Sequence, residues 1–560
     1  MIFYDFEIFA FNWLVVMINP FEKEKKIVVD NEDELRSYYE VHQNDIWIGY
    51  NSRMFDQYIL KGILCGFNPK QISDHIISGK GGWSFSNLLR NFPLNNYDVM
   101  TSFHGLKQLE GFMGNNIKET SVDFNLNRKL TKEEIEETIK YCTHDVEQTI
   151  EVFIQRKADF DAHLGLIKMF KLPLSYIGKT KPQLSAIILE AEKKTHDDEF
   201  ELDIAPCIRI EKYKVVYDFY QNRLNRNYDK ELEIEVAVVP HVFGWGGLHG
   251  AKEKYSDEGY FLNVDVASYY PSLMIEYNFN SRNIYDPKKF KEIYDTRLKY
   301  KAEKNPLQAP LKIVLNSTYG AMKDKYNNLY DPKEANNVCV NGQLMLLMLI
   351  EMIEPYVEII NTNTDGILVK LKNYDDYDLI DDICYEWEQI TKMKLEFDLY
   401  KKIYQKDVNN YILVDFDGHM KSKGAYVKKL TDLDYDLPII NEALVNYMVK
   451  DIPIEKTIND CDALKKFQKI VKISSKYLCG WHGSKKLTDK TFRVFASKNE
   501  NDGCIGKQKK EGATIEKFAN TPLHCFINND DINEKKVTEN LDKQWYVDLA
   551  KKRLKDFGVL

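Results

Sequence analysis

Asp5 and Glu7 stand two apart in FYDFEIF, so a strand there would point both to one face. Asp56 follows in YNSRMFDQYIL, and Asp145 comes one helical turn after Tyr141 in YCTHDVEQT. A second pair of acids lies further along: Asp265 near the end of the apolar run YFLNVDV, and Asp365 in the turn of VEIINTNTDGILVKL. Carboxylates gathered at strand ends are the oxygen donors that a partly hydrated Mg²⁺ takes. Two such ions about 4 Å apart stabilise both the attacking and the leaving oxygen of a phosphoryl displacement. An isolated Asp is more often a turn or cap residue, but the neighbours here favour chemistry. Arg297 and Lys301, at i and i+4, share one helix face, and Lys312 and Asn316 form a second such pair. Lys312 interrupts the apolar run LKIVL, where a solvated lysine is out of place. A helical hairpin offering these cations suits a triphosphate.

The elements that must carry these residues are legible in outline. Strand signals (IFYDFEIFAF, KKIVV, DIWIGY) alternate with helical patterns (ELRSYYEVH, QYILKGIL), which points to an α/β first domain. Thr131 and Glu134 form a capping box at the start of the helix that carries Tyr141 and Asp145. The glycine-rich HVFGWGGLHG precedes the strand of Asp265, and Asn305-Pro306 separates two helices after it. The apolar stretch NGQLMLLMLIEMIEPYV reads as a core helix, and the run around Asp365 as a β-hairpin.

A chain of 560 residues exceeds one core, so several domains are expected. The nine cysteines are scattered without a CxxC pair, which excludes a zinc ribbon or a disulfide framework as the basis of the fold. No basic n-region opens the chain and no apolar run suggests a bilayer span, so the expectation is a cytoplasmic protein without a membrane partner. The net charge of −9 hides an asymmetry: residues 461–520 hold 14 Lys+Arg against 6 Asp+Glu, a local +8 that leaves −17 elsewhere. Because phosphate contacts act locally, such a segment can serve a polyanion despite the acidic whole.

Three motifs in order resemble those of family B DNA polymerases. DVASYYPS is similar to motif A, KIVLNSTYG matches every fixed position of motif B, and NTNTDG sits where motif C belongs. Upstream, D-x-E at Asp5 and Glu7, N-x-x-x-F-D at Asn51 to Asp56, and Y-x-x-x-D at Tyr141 to Asp145 resemble the family's three exonuclease motifs. The resemblance implies an α/β and α+β multidomain fold. Its parts would be an RNase H-like exonuclease domain with a tyrosine beside four acids, and a right-hand polymerase of palm, fingers and thumb. Expected boundaries are exonuclease 1–165, a connecting region 166–250 with a Y-x-G-G-like linker, palm 251–285 and 326–430, fingers 286–325, and a lysine-rich thumb 431–560.

Residue roles follow the same resemblance. Asp265 and Asp365 would bind two Mg²⁺, with Mn²⁺ as a substitute, and Asp5, Glu7, Asp56 and Asp145 two more, Tyr141 orienting the attacking water. Tyr270 would exclude a ribose 2′-OH, Arg297, Lys301 and Lys312 would hold the triphosphate, and Asn316 and Tyr319 would line the nascent base pair. Asn51 and Phe55 would meet the single-stranded primer end. Gly246 and Gly247 would lie along the template, and Lys406, Tyr411 and Lys423 would contact primer-strand DNA. Motif C departs from the pattern at Asn361, Asn363 and Gly366, and Asn363, at an outer-ligand position, is expected to alter metal preference.

Only 47 positions separate Asp265 from Lys312, too few for the insertions of protein-primed phage enzymes. The expected activity is therefore extension of a nucleic-acid primer from dNTPs on a DNA template, with 3′–5′ proofreading. A compact layout of this kind resembles a phage or mobile-element replicase working with a helicase and a single-strand-binding protein in a bacterial host. The alternatives are an RNA-synthesising palm enzyme, which Tyr270 opposes, and a non-catalytic replisome DNA-binding protein with degenerate motifs.

Overall fold

Strand Ile2–Ile8 is buried along almost its whole length because it forms the middle of a five-stranded sheet. Across the sheet the order is Glu24–Val29, Trp13–Asn19, Ile2–Ile8, Trp47–Gly49 and Asn96–Asp98. The first three strands are antiparallel, and the last two run parallel to Ile2–Ile8. Helix Lys132–Gln155 packs on this sheet, and its start carries the capping box: Thr131 Oγ1 accepts the Glu134 amide, and Glu134 accepts the Thr131 amide at 2.8 Å.

The computed structural model describes residues 1–101, 103–512 and 514–560 and divides into two compact units. The first unit comprises Met1–Lys179, Leu430–Ile439 and Ile458–Tyr546; the second comprises Thr180–Lys429, Ile440–Thr457 and Val547–Leu560. Residues 431–560, expected as one thumb segment, are thus shared between the two. The reason lies in Arg493, fully buried in strand Thr491–Ala496. Its guanidinium donates to the carbonyls of Gly111 (3.2 Å), Asn115 (2.7 Å), Asn528 (3.3 Å) and Asp530 (2.5 Å), and to Gln468 Oε1 (3.0 Å). The three-stranded sheet of the C-terminal segment (Lys469–Lys472, Thr491–Ala496 and Cys525–Ile527) is stapled in this way to helix Leu106–Met113 and the loop after it.

The second unit is built on a nine-stranded antiparallel sheet. At its centre, Tyr255–Val266 lies between Leu395–Asp407 and Gly366–Leu371, with Glu358–Asn363 and His249–Ala251 beyond the latter. Two consecutive helices, Lys288–Ala302 and Gln308–Lys323, pack on each other. Helix Pro332–Ile353 does reach the length and apolar composition of a membrane span, but 89% of its apolar stretch is buried inside the unit. Its buried Asn341 and Gln343 are satisfied by Ala205, Asp203, Gly244 and Gly246, which marks it as a core helix.

Candidate active sites

In the second unit Asp265 pairs in register with Gly366, so it stands diagonally across from Asp365 on the neighbouring strand. The Val266 amide donates to the Asp365 carbonyl at 2.7 Å, which fixes the two acids at the ends of adjoining strands. Asp365 shares a two-residue turn with Thr364, whose φ of 64° is uncommon for a β-branched residue. That strained residue is pinned: its amide donates to Leu248 at 2.8 Å, and a Cβ on Gly247 would lie 2.7 Å from its hydroxyl. Gly247 thus lets the Gly244–His249 loop close over the turn, while Gly246 presents its carbonyl to Gln343 and leaves open space at its Cα.

A cleft of about 310 Å³ faces the turn, lined by Ser268, Tyr270, Arg297, Lys312, Asn316, Tyr319 and Asp365 among others. Ser268 also holds a left-handed φ of 49°, so two non-glycine strained residues border the same cavity. Tyr270 and Tyr319 lean on each other with ring centroids 4.4 Å apart. Among the described residues Arg297 Nε is buried without a hydrogen-bond partner, a donor free to meet an anion. Lys301 lies at the outer rim instead, 58% exposed and 3.9 Å from Glu396. Burial raises the Asp265 carboxyl above its ordinary range, with Asp365 adding to the rise and Lys421 opposing it; burial raises Asp365 too.

Three lysines of the strands beyond Asp265 differ in what they meet. Lys406 pairs with Asp407 at 2.6 Å and covers the Tyr426 ring, away from the acids. Tyr411 and Lys423 oppose each other on adjacent strands: Tyr411 is raised by burial and then by Asp265 and Asp365, and Lys423 opposes the rise that burial gives Asp365. Lys421, not singled out in the sequence, comes 3.9 Å from Asp265 and 3.8 Å from Asp398. Its signal was the alternation Lys421-Ser-Lys423, which puts both lysines on one strand face. Asn363 turns its amide to the Val408 carbonyl at 3.1 Å.

The first unit gathers the other acids. Glu7, Asp56 and Asp145 are buried and Asp5 is half-buried. Ligand atoms of Asp5, Glu7 and Cys142 lie within 4.8 Å of one another, and so do those of Glu110, His144 and Asp145. Asp56 opens helix Asp56–Leu64 and accepts the Phe6 amide at 3.2 Å. Burial pushes Asp56 up to about 7 and Asp145 up to about 6, the latter against the pull of Lys107. Asp5 and Glu7 are driven well above the carboxylate range by burial and by the surrounding acids. Tyr141 is raised by burial, then by Asp145, Glu7 and Asp5.

Lys107, beside these acids, was not singled out in the sequence either. It bonds Asp145, lies 3.1 Å from Glu110, and sits 4.6 Å from the centre of the Tyr141 ring. Burial would lower its pKa, but Asp145 and Glu110 hold it above the ordinary value. One ammonium against this many buried carboxylates leaves negative charge over, which suits hard divalent cations with oxygen ligands. Asn51 is exposed at a left-handed φ of 61°, held there because Asp98 accepts its amide at 2.8 Å and that of Arg53 at 3.0 Å. Phe55 is half-buried against the core of the unit.

No protein-family model and no curated protein matches this chain. Among solved structures it is similar to the family B DNA polymerase from the hyperthermophilic archaeon Pyrobaculum calidifontis, at 13% identity and a TM-score of 0.42. The match covers 98% of this chain and 74% of that one.

Proposed function

We propose that the chain is a DNA-directed DNA polymerase that extends a nucleic-acid primer, with a 3′–5′ exonuclease in its first unit. The observation that carries this reading is the register of Asp265 on Gly366, beside Asp365, at the mouth of a cleft bearing Tyr270, Arg297, Lys312, Asn316 and Tyr319. Asp265 and Asp365 would hold divalent metal ions, Mg²⁺ or Mn²⁺, which when bound neutralise charge on the reacting phosphoryl oxygens.

The chain's own residues do the positioning. Lys312 and the unpartnered Arg297 take the phosphates of an incoming nucleotide, with Lys301 at the rim. The Tyr270 ring, braced on Tyr319, closes the space where a ribose 2′-OH would lie. Lys421 and Lys423 flank the acids on the primer-strand side, with Tyr411 opposite Lys423 on the adjoining strand. In the first unit Asp5, Glu7, Asp56 and Asp145 form an equivalent donor set, and Tyr141 orients the attacking water. On this reading the nine-stranded sheet is the palm, the paired helices are the fingers, and the five-stranded sheet belongs to an RNase H-like exonuclease.

Extension of a labelled primer by the wild type, Asp265→Ala and Asp5→Ala tests both assignments. Asp265→Ala is expected to abolish synthesis while 3′ trimming persists, and Asp5→Ala to do the reverse. Synthesis by Asp265→Ala at the wild-type rate overturns the proposal.

A further inference from the structure

Beside the acid cluster the first unit opens a cleft of about 590 Å³. Lys107, Tyr141 and Asp145 line it together with Phe124 and with Lys472 and Lys490 of the C-terminal segment. The roles assigned above use neither of these two lysines nor Phe124. Lys472 Nζ lies against Gly105, where an added Cβ would come within 2.7 Å of it. Lys490 is placed by Glu119, whose carboxylate accepts the amides of Lys490 (2.9 and 3.0 Å) and Thr491 (2.9 Å). The clasp engages backbone only, so the Lys490 side chain stays exposed, as does that of Lys472. Among the described residues neither ammonium has a carboxylate partner. Phe124 is stacked on Phe9 with centroids 4.9 Å apart and planes 15° from parallel, which fixes a ring that is 39% exposed.

An acid cluster by itself repels a polyanion. Unpaired cations at its mouth offset that repulsion, and an immobilised aromatic ring offers a stacking surface to any base. We propose that this cleft is the track along which a single-stranded DNA 3′ segment reaches the carboxylates, Lys472 and Lys490 taking its phosphates and Phe124 stacking on a base. The assignment rests on the reading of the first unit as a 3′–5′ exonuclease. It gives the C-terminal segment a direct part in binding the strand to be trimmed, through residues more than 320 positions from Asp145 in sequence.

The test is steady-state trimming of a single-stranded oligothymidylate by the full chain across a salt series. Lys472→Ala with Lys490→Ala is expected to raise KM about tenfold, with kcat within twofold, and to flatten the log–log salt dependence by about 0.7 for each lysine lost. Phe124→Ala is expected to raise KM without changing the salt slope. Arginine at both lysine positions should restore KM, and an unchanged thermal midpoint marks the double variant as folded. Trimming with unshifted KM and salt slope in the folded double variant overturns this assignment alone. Absence of trimming by the wild type overturns the exonuclease reading and this assignment with it.

Discussion

An alanine at Gly366 would place its methyl group 1.9 Å from Asp265 Oδ1 and 3.1 Å from Asp265 Cγ. A Cβ essentially never sits closer than 3.0 Å to another heavy atom, so the carboxylate oxygen must retreat by about 1.1 Å. The nearest backbone atom, the Val264 carbonyl oxygen, is 3.4 Å away and accommodates the methyl, and Gly366 is not in the left-handed region. The fold therefore loses only what it costs to turn one side chain off its preferred rotamer, roughly 0.5–1.5 kcal/mol. The chemistry loses far more, because a misplacement of about 1 Å costs on the order of 100-fold in rate, or about 2.7 kcal/mol of barrier. Single-turnover primer extension reads this directly, with the thermal midpoint and 3′ trimming by the same preparation as controls. Gly366→Ala should extend at least about 100-fold more slowly with both controls near wild type. Gly366→Ser, which restores the residue usual in motif C, should do no better, since it carries the same Cβ. Extension within about threefold of wild type, a loss of under 1 kcal/mol of barrier, would refute the claim that Asp265 acts from its present position.

Tyr270→Val removes the ring braced on Tyr319, and ribonucleotide incorporation relative to deoxyribonucleotide should rise at least about tenfold in competitive extension; an unchanged ratio removes Tyr270 from sugar selection. Arg493→Met leaves the carbonyls of Gly111, Asn115, Asn528 and Asp530 without their donor. It should destabilise the first unit by at least about 3 kcal/mol in denaturant unfolding, and a loss under about 1 kcal/mol would discount the staple. Asp56 and Asp145 hold protons in the folded chain up to about 7 and 6, whereas an unfolded aspartate releases its proton near 3.8. Their stabilising contribution without metal is complete below the unfolded value and is lost as pH rises through 6 and 7. In EDTA the thermal midpoint should fall from about pH 4 to about pH 7 and level off above, and millimolar Mg²⁺ should recover it mainly at the higher pH; a flat profile would show that the acids are not buried together.

What the sequence disclosed was local, and what it concealed depended on distant partners. Lys312 could be read because a cation inside LKIVL has no place in a core, and it lines the cleft. Lys301 shares a helix face with Arg297, but spacing along a helix does not say where the cavity ends, and Lys301 stands at its rim. Lys406 and Lys421 show the effect of register. An irregularity between Gln405 and Asp407 accompanies the pairing of Lys406 with Asp407, and the strand Met420–Lys423, two strands further out, brings Lys421 to Asp265 instead. Nothing near Lys107 in sequence signals that Asp145 will meet it. The membership of Ile458–Tyr546 in the first unit was equally hidden, because contacts such as Arg493 with Gly111 span more than 380 residues and leave no periodic trace.

That membership constrains how the molecule is made. A ribosome releases Met1–Lys179 long before Thr491–Ala496 exists, so the apolar side of helix Leu106–Met113 and the carbonyls awaiting Arg493 emerge without their cover. Closing so long a loop is slow, and nascent chains with open apolar surface invite aggregation. A part of the chain synthesised well before its partner is thus late to mature, and chaperone demand should peak while the intervening residues are still being translated.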